Sequence, residues 1–319
     1  MSDKQLNNDP LGVVSALAAT HDGQPLSFNR APAEDLAPWV ARIHTTKAIV
    51  EPGRVIMCGM FADVSVLRLL LQGDWHAETA DGPKLFKRAA LYFGPHSKRM
   101  PASVRGDFAT VAIALVPGAA HALSGLKVTD FVDRIVDCSE IGLDSQNLLG
   151  LIQESEPPDQ WLIALENHMR LVVEQAGGAL PNAITSAFDA AALANPNTKV
   201  GEFARREGIE RRQLERIIKR DFGMPPKQVL RRARILDMAA YLRGVADSDE
   251  AEEIALRYFD QSHLNRDFNA LFGMTPMQFV RTPQPLMTIA LEYRQARRVE
   301  ALKRVPPGDI KPWQASAID

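Results

Sequence analysis

Across residues 210–222, Arg211, Arg212, Glu215, Arg216 and Lys219 recur at steps of one or three residues, interleaved with Leu214, Ile217, Ile218 and Phe222. At 3.6 residues per turn, this spacing makes a helix with one apolar side and one charged side. The charged side has a defined chemistry. A guanidinium can fork onto O6 and N7 of guanine in the major groove, while Lys and Arg neutralise phosphates. Fifty residues later the pattern returns with different heads. Leu264, Phe268 and Phe272 form the apolar stripe, and Gln261, His263, Asn265, Arg266 and Asn269 stand opposite. Amide side chains suit paired contacts with adenine, but few of these residues suit phosphate. A single basic amphipathic helix is ordinarily a solvated surface, so the weight of this reading rests on the two copies.

Each helix is followed by the same punctuation. Phe222-Gly223-Met224-Pro225-Pro226-Lys227-Gln228 is echoed by Phe272-Gly273-Met274-Thr275-Pro276-Met277-Gln278, with Arg231 echoed by Arg281. Glycine ends one helix and proline opens the next, where its missing N–H costs nothing. A fixed period means one supersecondary unit used twice. Helix, tight turn and helix is the unit that carries a helix into the DNA major groove.

Charge agrees for the first copy. Residues 199–234 hold twelve Lys/Arg against five Asp/Glu, a balance of +7. Residues 247–283 hold three Arg against seven acids, a balance of −4. The first unit is therefore expected to be the phosphate anchor. The whole chain has a net charge of only −2, with 46% hydrophobic and 24% charged residues over 319 positions, which suits two globular domains. No apolar run approaches the roughly 18 residues of a membrane helix, and 1–10 lacks a signal-peptide layout. Cys58 and Cys138 have no metal-type spacing. A reduced, cytoplasmic setting is the expectation.

The remaining elements follow from local pattern. Residues 1–45 are mixed and broken by Pro25, Pro32 and Pro38. Short apolar runs at 54–58, 64–71, 89–93 and 108–116, bounded by Gly, Asp and Pro, predict strands of a small barrel or sandwich. Short helices are predicted at 118–125 and 128–136. Helical spacing then predicts 161–175, 182–194, 200–207, 210–222, 226–243, 249–256, 261–272, 276–280 and 286–303.

Residues 195–283 resemble the DNA-binding domain of AraC/XylS-type bacterial transcription regulators, with two helix-turn-helix units joined by a long helix, here 226–243. Phe272-Gly273-Met274-Thr275-Pro276 is similar to the family's closing signature, and Tyr258-Phe259-Asp260-Gln261-Ser262-His263-Leu264 to its second turn. Arg257 departs from the usual glycine of that turn, and with the acidic run 247–253 it points to weaker docking by the second unit. Less specifically, residues 36–150 resemble the β-rich, cupin-like sensor domain attached to some of these regulators, through Val116-Pro117-Gly118-Ala119-Ala120-His121-Ala122-Leu123 and Val128-Thr129-Asp130-Phe131. The implied architecture is α+β: a β-rich cupin-like domain (36–150), a helical linker (151–194), an all-α double helix-turn-helix domain (195–283) and a helical extension (284–319). The implied partners are promoter duplex DNA, a small-molecule effector, RNA polymerase and a second copy of the chain, with activation the expected mode.

Two features suggest an anionic effector. Lys84, Lys87, Arg88, Lys98, Arg99 and Arg105 occur within 84–105 without one acid, although a charged strand edge has the same composition. Asp137, Ser139 and Gly142 spell D-x-S-x-x-G, and Arg294, Arg297 and Arg298 complete R-x-x-x-R. Together these are similar to the paired signature of PilZ domains, which bind cyclic di-GMP, though in reversed order. Guanidiniums can clamp phosphates and stack on guanine. An interdomain turn and a solvated helix face would explain the same residues. A sugar or other metabolite in the β-domain, near Trp75 and Tyr92, is the other effector class, and an effector-free DNA binder is the remaining reading. His76, His96 and His121 lack a His-x-His pair, so neither a metal nor another cofactor is expected. No nucleophile with a base argues for an enzyme.

Overall fold

Two strands of unusual length organise the N-terminal half. The computed structural model describes residues 13–15, 17–20, 25–247 and 261–314. Its strands are β1 (Val13–Ser15), β2 (Ala18–Ala19), β3 (Pro25–Leu26), β4 (Phe28–Arg30), β5 (Val40–Val50), β6 (Val55–Met60), β7 (Val66–Thr79), β8 (Gly82–Phe86), β9 (Ala89–Phe93), β10 (Met100–Leu115) and β11 (Ile135–Asp137). Nine form one antiparallel sheet along β1-β5-β10-β7-β9-β11, with β4, β6 and β8 pairing β5, β10 and β7.

Both long strands change partners midway. β10 pairs β6 through Met100 to Arg105 and β5 through Phe108 to Leu115. β7 pairs β8 with one half and β9 with the other. The β7–β10 register slips between Arg105 and Thr110, the kind of irregularity that bends a sheet. Gly73 sits at this bend with φ +99°, and a Cβ there would lie 2.9 Å from the Cβ of Phe108. Only glycine fits both the backbone and the space.

Each face of the curled sheet has its own cover. Helices α1 (Ala119–Ser124), α2 (Ser145–Gly150) and α3 (Pro158–Gln175) follow. Trp161, Leu162, Leu165 and Met169 of α3 and Leu148 and Leu149 of α2 join Ile43, Leu69, Leu71, Val111 and Ile113 in one apolar core. The opposite face carries Val66, Leu70, Leu91, Val104 and Ala112. It is covered from the C-terminal half, by α7 (Pro226–Leu242), α8 (Gln261–Phe272), α9 (Pro276–Arg281) and α10 (Pro285–Ala301). A third core joins α4 (Ala183–Ala194), α5 (Val200–Arg206), α6 (Arg211–Phe222) and the start of α7 around Phe188, Phe203, Leu214, Ile218 and Phe222.

Several expectations change here. Residues 1–45 contain β4 and the start of β5, an eleven-residue strand. The expected linker is divided: α3 belongs to the sheet's core and α4 to the first helix-turn-helix core. The expected extension is the best-covered of the described helices in its half. Met287, Leu291, Ala296 and Val299 of α10 are at most 1% exposed, packing on β3, β5, β6, α4 and α7. Full burial of each large apolar side chain stabilises by roughly 1.5–3 kcal/mol. Leu291→Asp would place an unpaired charge in that core. The helix expected at 249–256 and the turn containing Arg257 lie outside the described residues.

Candidate nucleic-acid interface

The two turns are built alike. α6 ends at Gly223, φ +75°, and Pro226 occupies the first turn of α7. α8 ends at Gly273, φ +69°, and Pro276 occupies the first turn of α9, where Thr275 and Gln278 form a reciprocal capping box. Such caps satisfy the backbone groups that helix ends leave unpaired.

On α6, Leu214, Ile217, Ile218 and Phe222 are buried while Arg211, Arg212, Arg216 and Lys219 are exposed. Arg211 pairs with Glu215 at 3.1 Å across one helical turn. Arg212, Arg216 and Lys219 carry no ion pair among the described residues. An exposed cation without a local carboxylate is available to an anion, and three in a row along one helix suit a phosphate backbone. On α8, His263, Asn265, Arg266 and Asn269 are exposed, and Phe268 and Phe272 are buried. Arg266 donates to the Ser262 carbonyl at 3.3 Å. Gln261 opens the helix.

Between the two units runs a groove of about 520 Å³ whose lining includes Lys199, Arg211, Lys227, Arg231, Arg234 and His263, with Asp267 as its one carboxylate. Arg231 reaches across it to Asp267 at 2.8 Å, tying α7 to α8. Arg234 donates to the Pro196 carbonyl. Of this set, the sequence pattern marked only Arg211 and His263 as DNA contacts, with Lys227 and Arg231 appearing only in the repeated turn. Lys199, Lys227 and Arg234 lie outside the two recognition helices, and as phosphate contacts they were signalled only by the +7 balance of 199–234.

The residues expected to hold an effector are engaged otherwise. Asp137 caps a short 3₁₀ helix at Cys138–Ile141, accepting from Ser139 N–H at 2.9 Å and from the Ser139 and Ser145 hydroxyls. These bonds outweigh partial burial and hold its carboxyl below the usual range. Gly142, φ +83°, closes the same turn. D-x-S-x-x-G is thus a capping motif here. Arg294, far from being solvated, is 4% exposed and donates to Asp63 at 2.9 Å and to Asp237 at 2.6 Å. Arg297 pairs with Asp189, and Arg298 donates to the Leu193 carbonyl, with Asp237 at 3.8 Å. Among the described residues no hydrogen bond joins the Asp137 group to the α10 arginines, two of which pair with Asp63, Asp237 and Asp189. The cyclic di-GMP expectation therefore finds no support in these side chains.

Residues 203–282 match the protein-family model described as a helix-turn-helix domain. They form a helix-turn-helix domain. The match spans both units and α7. No curated protein sequence matches the chain. Among solved structures, the chain is similar to ToxT from Vibrio cholerae at 8% identity and TM-score 0.43, over 75% of this chain and 97% of that one. It is similar to unsaturated-fatty-acid-bound ToxT at 10% identity and TM-score 0.41, over 81% and 96%. The AraC-like transcriptional activator CuxR matches at 12% identity and TM-score 0.29, over 61% and 76%. At these scores the likenesses carry no conclusion.

The helix-turn-helix domain is seated on the sheet at both units. Arg99 N–H donates to the Leu271 carbonyl at 2.6 Å, and Phe61 meets Phe272 with ring centroids 5.6 Å apart. Arg232 of α7 donates to the carbonyls of His96 and Asp63 at 2.9 and 2.6 Å. Beside the first unit, a Cβ on Gly223 would lie 2.5 Å from a methyl of Val132. None of the described helices is long and apolar enough to cross a membrane. Among the described residues, no three His, Cys, Asp or Glu side chains group as metal ligands.

Proposed function

We propose that this chain is a transcription regulator that binds duplex promoter DNA through α6 and α8 and is controlled by a small effector held in its β-rich half. The observation that carries this is the exposed cationic row on α6, repeated in geometry but not in charge on α8, with a basic groove between them. Arg211, Arg212, Glu215, Arg216 and Lys219 form the first reading surface. Gln261, His263, Asn265, Arg266 and Asn269 form the second. Lys199, Lys227 and Arg234 add phosphate contacts. Effector control is supported by the seating of both units on the sheet, since any ligand that shifts the 94–99 loop moves the partner of Arg232. Binding as a homodimer in the cytoplasm, recruitment of RNA polymerase and activation complete the reading.

The test is fluorescence anisotropy with the full chain on duplexes selected from a random pool, run as a salt series. Affinity should fall steeply with salt, as counterion release requires. Arg212→Ala should weaken binding at least fivefold more than Asn265→Ala. Equal losses would remove the assigned dominance of the first unit, and salt-independent or absent binding would remove the DNA reading itself.

A further inference from the structure

Arg68 is partly exposed overall, but its Nε is closed off from solvent and the side chain has no carboxylate partner among the described residues. Alternation along β7 puts Val66, Arg68 and Leu70 on the face that α10 covers, and Leu67, Leu69 and Leu71 on the other. Its guanidinium lies 4.9 Å from the centre of the Phe93 ring, 3.9 Å from the sulfur of Met60 and 3.4 Å from His44 Nε2. Among the described residues none of its contacts is a carboxylate, and its Nε–H, closed off from solvent, has no acceptor. Every neighbouring arginine on α10 has one: Arg294 has Asp63 and Asp237, and Arg297 has Asp189. An unpaired buried charge is costly, and proteins keep such groups paired or ligated.

The cavity beside it is short of acceptors in a consistent way. It measures about 30 Å³ and is lined by Arg68, His96, Thr110, Phe93, Leu286 and Tyr293, among others. His96 is wholly buried, and its Nδ1 accepts from Ala62 N–H at 3.2 Å. Burial holds this ring in its neutral form, so with Nδ1 accepting, its proton is on Nε2, which has no hydrogen-bond partner among the described residues. His44 accepts from Arg68 on Nε2, leaving its Nδ1–H equally without a partner. His44 is outside the cavity lining, so the orphaned groups that face the cavity are those of Arg68 and His96, and both are donors. A ligand that satisfies them must offer acceptors and a negative charge, and the walls contributed by Met60, Phe61, Phe93 and Leu286 require the rest of it to be apolar.

We propose that this cavity binds a compact carboxylate, its two oxygens taken by Arg68 and His96 and its short aliphatic end against Phe93 and Leu286. Room for about two water-sized groups limits the occupant to a few heavy atoms. His96 is also the residue whose carbonyl receives Arg232 of α7, so the anion would sit one residue from the seat of the helix-turn-helix domain. The binding claim stands alone; only its regulatory meaning rests on the proposed function.

The test is thermal unfolding of the full chain in acetate, propionate or butyrate at fixed ionic strength, with propionamide and chloride as controls. Expected is a saturable rise in Tm with a short carboxylate and none with the amide. Arg68→Met, which keeps the bulk and removes the charge, should weaken carboxylate binding at least tenfold. Should Arg68→Met fail to fold, Arg68→Lys keeps the charge without the planar fork and should bind less tightly than the wild-type chain. A rise equal for propionate and propionamide, an undiminished rise in both variants, or no saturable response to any carboxylate would overturn the proposal. Duplex binding measured with and without propionate is read separately: loss of DNA binding altogether would sink the regulator reading and leave the cavity result standing.

Discussion

Replacing Arg294 with alanine separates a structural arginine from a ligand-binding one. The side chain is 4% exposed and joins α10 to Asp63 and to Asp237, which is wholly buried on α7. Asp63 shows what the cluster does: burial pushes its carboxyl up, yet the charges of Arg294, Arg232 and Arg297 outweigh this and hold it below the ordinary value. Removing Arg294 leaves two enclosed carboxylates short of their main partner. Breaking one side of a buried pair costs about 3–5 kcal/mol, because the surviving charge stays desolvated. By contrast, Arg211 and Glu215 form an exposed pair, and Arg211→Ala should cost under about 1 kcal/mol. Urea unfolding of the full chain, followed by circular dichroism and tryptophan fluorescence, measures both. If Arg294 were instead a solvated phosphate clamp, its loss would barely affect stability and would abolish heat on titration with cyclic di-GMP. A cost below about 1 kcal/mol, or saturable heat from that nucleotide lost in Arg294→Ala, would refute the argument.

Three other outcomes follow from the structure. Gly223→Ala should destabilise more than Gly273→Ala: both glycines hold positive φ, but only at Gly223 does the new methyl meet a neighbour, Val132 at 2.5 Å. The backbone strain costs on the order of 1 kcal/mol at either site, and overpacking adds roughly 1–3 kcal/mol at the first, readable as the difference between two denaturation midpoints. Stability should fall on acidification between pH 6.5 and 4. Burial holds the His96 ring down to about 4, so the unfolded chain binds the extra proton throughout that window, and His96 contributes about 3 kcal/mol to the loss. His96→Gln should flatten this slope in a pH series of melts, and an unchanged slope would remove His96 as its cause.

The repeat was legible because its signals are local. Gly223 and Gly273 end helices, Pro226 and Pro276 start them, and nothing distant was needed to read either turn. β5 was hidden for the opposite reason. Its covered face carries Arg42, His44 and Thr46, which meet Glu300, Tyr293 and Ser27, so alternation of apolar and polar residues never shows. The same non-locality misled the reading of α10. Its arginines look like a solvated face because their carboxylates lie 231, 57 and 108 positions away at Asp63, Asp237 and Asp189. Orphaned donors such as those of Arg68 and His96 cannot be read from residue type at all, since being unpaired is a property of the neighbours.

The position of α10 in the chain sets an order of assembly. It is synthesised after every element it covers, and its contacts with β3, β5 and β6 span more than two hundred residues. Contacts of such separation form slowly and late. During translation the inner face of the sheet, with Arg68, Asp63 and its apolar neighbours, therefore stays open to water after the sheet itself has been made. The first helix-turn-helix unit, whose core is drawn from residues 188–233, can form before that face is closed. A growing chain would thus carry its cationic α6 before it can hold that helix in the finished geometry, and chaperone demand should be greatest in the interval before residue 301 emerges.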